Sequence, residues 1–194
     1  MKTFDIKGSE RKVVGKKSTK ELRSNSLVPC VLYGGENNVH FSVDEKAFQH
    51  LVYTPNVYIV NVDIDGKKSQ ALMQNLQFNS VSDSIEHVDF LEISDDRNIS
   101  IAIPVKLVGL SEGVKQGGKL MLKLRKLRVR GLAKDFPDTL DVDISHLALG
   151  KSIKVSELNF KNLELLDAKN AVVATVRLTR SAMSAKNAEP EAKK

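Results

Sequence analysis

The sequence predicts an all-β protein with a few short helices, in two units joined near residue 95. Three observations carry that reading. Short runs alternate apolar with polar residues, as in Val39-His40-Phe41-Ser42-Val43 and Ile99-Ser100-Ile101-Ala102-Ile103. Turn residues punctuate the runs, Asp65-Gly66 being the strongest two-residue hairpin signal. The polar stretch Ser94-Asp95-Asp96-Arg97-Asn98 divides one set of strands from another.

The first unit reads as six strands. Thr3 to Lys7 alternates. A basic stretch follows, in which Ser18 and Glu21 have capping-box spacing, so a short helix is expected to start near Thr19. Val28 to Tyr33 is apolar and stops at Gly34-Gly35, as a buried strand would. Glu36-Asn37-Asn38 is turn chemistry, and residues 39–43 form the returning strand. Asp44 then caps a helix carrying Ala47, Phe48, Leu51 and Val52. Val57 to Ile64 and Lys67 to Phe78 pair across Asp65-Gly66. In the second of these, Ala71, Met73 and Asn75 are expected on one face, with Leu72, Gln74 and Leu76 on the other. After a polar loop, Val88 and Phe90 alternate with His87, Asp89 and Leu91.

The second unit is also strand-rich. Residues 99–106 alternate, and Pro104 predicts an edge strand or a bulge there. Residues 119–130 read K-L-M-L-K-L-R-K-L-R-V-R. This is a strand with a bulge near Arg125-Lys126, or else a helix grouping Leu120, Leu124 and Leu127; the flanking glycines favour the strand. Residues 140–144 alternate, residues 155–158 form a turn or short strand, and Ala171 to Leu178 is a closing strand. The expected limits are 1–93 and 94–180, with 181–194 a disordered tail of Ala, Lys, Glu, Asn and Pro.

Charge is uneven. The net charge is +6, but residues 1–23 hold eight Lys or Arg against three acids, and residues 24–92 hold three against nine. Arg11, Lys12, Lys16, Lys17, Lys20 and Arg23 lie within thirteen positions with Glu21 the one acid. Such density suits phosphates, although a charge run can equally be a solvated surface. A second run, Lys119, Lys123, Arg125, Lys126, Arg128 and Arg130, contains no acid. It reads as a second contact with nucleic-acid phosphates or as protection of an edge strand from aggregation.

Several classes are disfavoured. Cys30 is the one cysteine, so no intrachain disulfide can form, and it sits in an apolar run as a small hydrophobe. The N-terminus lacks a signal-peptide pattern and no apolar run is long enough for a membrane span, so a soluble, cytoplasmic protein is expected. The histidines at 40, 50, 87 and 146 have no metal-ligand spacing. Gly117-Gly118-Lys119 is not a P-loop, and no serine has a nucleophile elbow. His87 and Asp89 project from one side of a strand but no nucleophile is tied to them. No catalytic residue, metal, cofactor or small-molecule substrate is expected.

The run G-K-K-S-T-K-E-L-R…P-C-V-L-Y-G-G, with E-H-V-D-F much later, resembles the bacterial large-subunit ribosomal protein L-twenty-five family. The second half is similar to its long Ctc, or general stress, form: G-G-K-L near 117, F-P-D-T-L-D-V-D-I-S-H-L-A-L-G-K-S-I-K-V-S-E-L from 136, and the A-V-V-A-T-V strand. The resemblance covers residues 1 to about 180. It implies an N-terminal six-stranded β-barrel that binds 5S rRNA in the central protuberance of the large subunit, plus a second mainly-β domain. The matching RNA-binding residues are Arg11, Lys12, Lys16, Lys17, Lys20, Arg23, Tyr33, Gln74, Gln77, His87 and Asp89. Glu21 stands where the family often has a basic residue, and Lys17 supplies a charge where a small residue is frequent. A related barrel binds anticodons in some aminoacyl-tRNA synthetases, so the alternative is an interaction module for tRNA or another protein as a stress factor.

Overall fold

A computed structural model describes residues 1–35, 37–94 and 97–179; the expected tail at 181–194 lies outside them. The chain forms two compact units. The first is Met1–Ile99 with Leu132–Asp138, and the second is Ser100–Gly131 with the chain from Thr139 on.

In the first unit, β1 (Lys2–Glu10), β2 (Leu27–Tyr33), β3 (Val39–Asp44), β4 (Tyr58–Ile64), β5 (Lys67–Phe78) and β6 (Ile85–Glu92) close into the expected six-stranded barrel, in the order β1-β3-β2-β6-β5-β4. Parallel pairing of β1 with β4, from Lys2↔Tyr58 to Gly8↔Ile64, completes the circle. Alternation decides which side chains fill it. Ile6, Cys30, Leu32, Phe41, Val43, Val60, Val62, Val88 and Phe90 all point inward and are buried. A 3-10 turn at Glu45–Phe48 and the one-turn helix α2 (Gln49–Val52) bury Phe48 and Leu51 in the same core. Asp44 accepts from the Lys46 N–H as the expected cap, and Phe48 stacks on Phe90 at 6.3 Å between ring centres. The hairpin at Asp65-Gly66 has φ of 49° and 91°, the left-handed pair that a two-residue turn demands. Segment 132–138 belongs to this unit, and its Phe136 is buried.

Two irregularities depart from the sequence reading. In β5 the register slips between Met73 and Asn75, leaving Gln74 outside the ladder. Parity therefore flips: Met73 and Leu76 both pack on the core, and Asn75 faces out instead of sharing a face with Met73. In β6 the register slips again. Gln77 pairs with His87 and Phe78 with Ile85, so Glu86 is skipped.

The second unit has two sheets. One is ordered β10 (Leu140–Asp143), β7 (Ile99–Val108), β9 (Lys126–Gly131), β12 (Glu164–Leu165). The other is β11 (Ser152–Lys154), β13 (Val172–Arg177), β8 (Lys119–Leu122). The helix α3 (Glu112–Lys115) is a single turn. Leu107, Leu120, Ile144, Leu147 and Val176 share a core. β7 is an interior strand, so of the two alternatives that Pro104 raised the edge does not hold. The ladder with β10 begins only at Val105↔Leu140, and the Val105 N–H turns the other way to Arg125. Successive residues face opposite edges, so the nitrogen of Pro104 meets the side where pairing has not started. Residues 119–130 are neither a helix nor one bulged strand. They are two strands in two sheets, with the chain bending at 123–125.

Candidate nucleic-acid interface

The basic stretch folds as a loop, 11–14, and the helix α1 (Lys16–Ser24), which packs on β2. The helix starts three residues earlier than its capping-box spacing predicted. Gly15 is the N-cap, at φ 152°, and no side chain caps the helix. The Ser18 hydroxyl donates to the Val13 carbonyl, and that of Thr19 to the Gly15 carbonyl. Both hydroxyls thus act as donors to carbonyls preceding the helix, and Gly15 supplies the conformation that begins it.

Lys16, Lys20 and Arg23 fall at i, i+4 and i+7 on one face and are exposed, as are Lys12 and Lys17. Among the described residues none of these lysines has an ion-pair partner. Two arginines behave differently. Arg11 is half-buried: its N–H donates to the His40 carbonyl and its Nη2 to Thr19 Oγ1 at 3.4 Å, while its Nε is shut off from water without a partner. Arg23 reaches across to β6, where Nε and Nη2 both donate to the Glu86 carbonyl. Glu86 is the residue that the β5–β6 ladder skips, so Arg23 satisfies a backbone oxygen that pairing leaves open.

The two register slips frame a polar cluster on the outer barrel wall. Between them Asn75 pairs with Asp89 and Gln77 with His87, while Leu76 and Val88 between these pairs point inward. His87 Nδ1 lies 2.7 Å from Asp89 Oδ1. With Nδ1 donating to the carboxylate, the ring is held in one orientation and Nε2 takes no part in that bond. On the far side of β6, Val31 of β2 pairs with Asp89 and with His40 of β3, so His40, Val31, Asp89 and Asn75 form one row across four strands. Tyr33 lies two residues along β2 from Val31. Partial burial and the Asp89 charge push its hydroxyl pKa up, against a smaller opposing pull from Arg97. The phenol therefore keeps its proton at neutral pH, as donor and acceptor. Cys30, by contrast, is inside the barrel, and burial pushes its thiol far up.

Of the residues expected from sequence, Lys16, Lys20 and Arg23 share one helix face, and Tyr33, Gln77, His87 and Asp89 lie together on the outer strands. Gln74 is exposed but sits in the bulge, outside the paired array. Three neighbours escaped the sequence reading. Asn75 is hidden by the parity flip, and His40 by its place in an ordinary alternating strand. Arg97, whose Nη1 donates to the Gly34 carbonyl at 3.0 Å, sits in what reads as a boundary.

The second basic run does not make one surface. Lys119 is on β8, an edge strand, and Lys123 and Arg125 are in the bend. Lys126, Arg128 and Arg130 share the exposed face of β9, whose alternate residues Leu127 and Val129 are fully buried. β9 lies inside its sheet, so edge protection applies to Lys119 and not to this trio.

Residues 6–90 match the Ribosomal L25p family and residues 98–180 match the ribosomal protein TL5, C-terminal domain. These matches define a ribosomal protein, a class that is not enzymatic. The large ribosomal subunit protein bL25 of Azobacteroides pseudotrichonymphae genomovar. CFP2 is 52% identical over 185 residues, covering 95% of this chain and 98% of that one. Those of Phocaeicola vulgatus and Bacteroides fragilis are 50% and 48% identical, each covering 95% of this chain and 97% of the relative. The chain belongs to the bL25 family of large ribosomal subunit proteins, in its long, two-domain form.

Proposed function

We propose that the barrel binds 5S rRNA in the central protuberance of the large ribosomal subunit, as a structural and non-catalytic component working in the cytoplasm with the ribosome. The observation that carries this reading is the polar array between the two register slips, with the basic helix tied to the same strand by Arg23. Bulges re-aim side chains and are enriched beside functional sites. Lys12, Lys16, Lys17 and Lys20 supply phosphate contacts, which fix orientation without reading sequence. Arg11 and Arg23 hold the loop and helix against the barrel. Tyr33, Asn75, Gln77, His87 and Asp89 present hydroxyl, amide, imidazole and carboxylate groups to base edges and ribose hydroxyls in a wide, shallow RNA minor groove. Gln74 joins them from the bulge.

Binding of the full chain to 5S rRNA and to tRNA at matched salt tests this reading. A clear preference for 5S rRNA is expected. Equal affinity for both would return the barrel to a general RNA- or protein-binding module.

A further inference from the structure

We propose that the outer face of β9 is a second RNA-binding surface, one that follows a single stretch of sugar–phosphate backbone without reading its sequence. It lies in the second unit and shares no residue with the barrel site, so it stands or falls separately from the 5S reading.

Geometry and charge carry the inference. Lys126, Arg128 and Arg130 alternate with buried Leu127 and Val129, so the three cations project from one face at intervals of about 6.8 Å. Three like charges held on a rigid strand repel one another unless an anion or solvent screens them. Carboxylates are nearby but do not neutralise them. Glu164 is the cross-strand partner of Arg130, yet no carboxylate among the described residues lies within ion-pair distance of the trio. Asp167 is committed elsewhere, its Oδ2 accepting from the backbone N–H of Arg128 at 2.7 Å. The chain thus places two acids beside β9 and leaves all three cations free.

The partner's chemistry follows from what accompanies the charge. A regular row of cations along an extended strand complements a regular row of phosphates. No aromatic side chain stands on β9 to stack a base and no amide to read one, so the contact is electrostatic and sequence-independent. A large-subunit protein meets such backbone on its neighbouring RNA.

The test uses the full-length protein and its Lys126→Gln/Arg128→Gln/Arg130→Gln variant, with a single-stranded oligouridylate and with large subunits stripped of this protein. Three lost contacts at about 0.7 each should make the slope of log K against log salt for oligouridylate shallower by about 2. The variant should also leave the subunits at lower salt, with the preference for 5S rRNA over tRNA unchanged. An unaltered slope overturns the proposal. So does weaker retention on subunits without any change in oligouridylate binding, which would point to an acidic protein instead. The charge-conserving Arg128→Lys/Arg130→Lys variant should behave as the wild type; if it also loses binding, folding rather than charge is responsible and the proposal fails.

Discussion

Arg23 donates to the Glu86 carbonyl from two nitrogens at once, at 3.2 Å from Nε and 3.0 Å from Nη2. One side chain thereby ties the basic helix to the strand that carries His87 and Asp89. An exposed guanidinium on a basic face would ordinarily be assigned to phosphate. Here one edge of it is occupied by the protein's own backbone.

Arg23→Gln should therefore weaken 5S rRNA binding by about tenfold, the value of a charge-assisted hydrogen bond, while leaving the salt dependence as it was. A slope shallower by about one unit would show instead that Arg23 neutralises a phosphate.

Lys16 and Lys20 give the opposite expectation. Both are exposed on the helix face and free of ion pairs among the described residues. Lys16→Ala and Lys20→Ala should each lower affinity for 5S rRNA and tRNA alike and flatten the slope by about 0.7 to 0.9. Titrating both RNAs across a salt series measures this directly.

His87 and Asp89 should act on choice rather than on strength alone. His87→Ala removes the imidazole that Asp89 holds through Nδ1, and Asp89→Ala frees the ring to turn. Each should narrow the ratio of 5S rRNA to tRNA affinity by about tenfold, or ~1.4 kcal/mol, as expected for a lost base or ribose contact. Equal losses for both RNAs, with the circular dichroism of the folded chain retained, would rule out readout by β6.

Phe136 tests the reach of the first unit. It is 3% exposed in a segment that belongs to the barrel unit, although strands of the second unit flank it in sequence. Phe136→Ala should destabilise the first unit by about 3 kcal/mol, read from its denaturant midpoint. A fragment ending at residue 93 should still prefer 5S rRNA, because the barrel-site residues other than Arg97 lie before that point, but it should unfold at lower denaturant than the barrel in the full chain.

Much of this was legible in the sequence because the barrel strands obey simple alternation. Val39, Phe41 and Val43 point in where His40 and Ser42 point out, and Asp65-Gly66 is a hairpin by dihedral necessity. What escaped depended on partners distant in the chain. Nothing local marks Gln74 as the residue that drops out of the ladder, so plain alternation puts Asn75 on the wrong face. Ser18 and Glu21 have capping spacing, yet Gly15 already starts the helix. The basic run 119–130 contains no acid, but Glu164 and Asp167 arrive beside it only through the pairing of β9 with β12. Pro104 signals a missing hydrogen bond without saying which edge of the strand lacks it.

The strand order has a consequence for how the nascent chain gains its function. β2 and β5 do not pair with each other; β6 lies between them, parallel to the first and antiparallel to the second. The strand bearing His87 and Asp89 is also the last of the six to be synthesised. Until it inserts, the barrel is an open sheet with two unpaired edges, and Arg23 has no Glu86 carbonyl to hold. The polar array and the clamped helix therefore come into being in the same event that closes the barrel, and an unfinished chain cannot present that surface early.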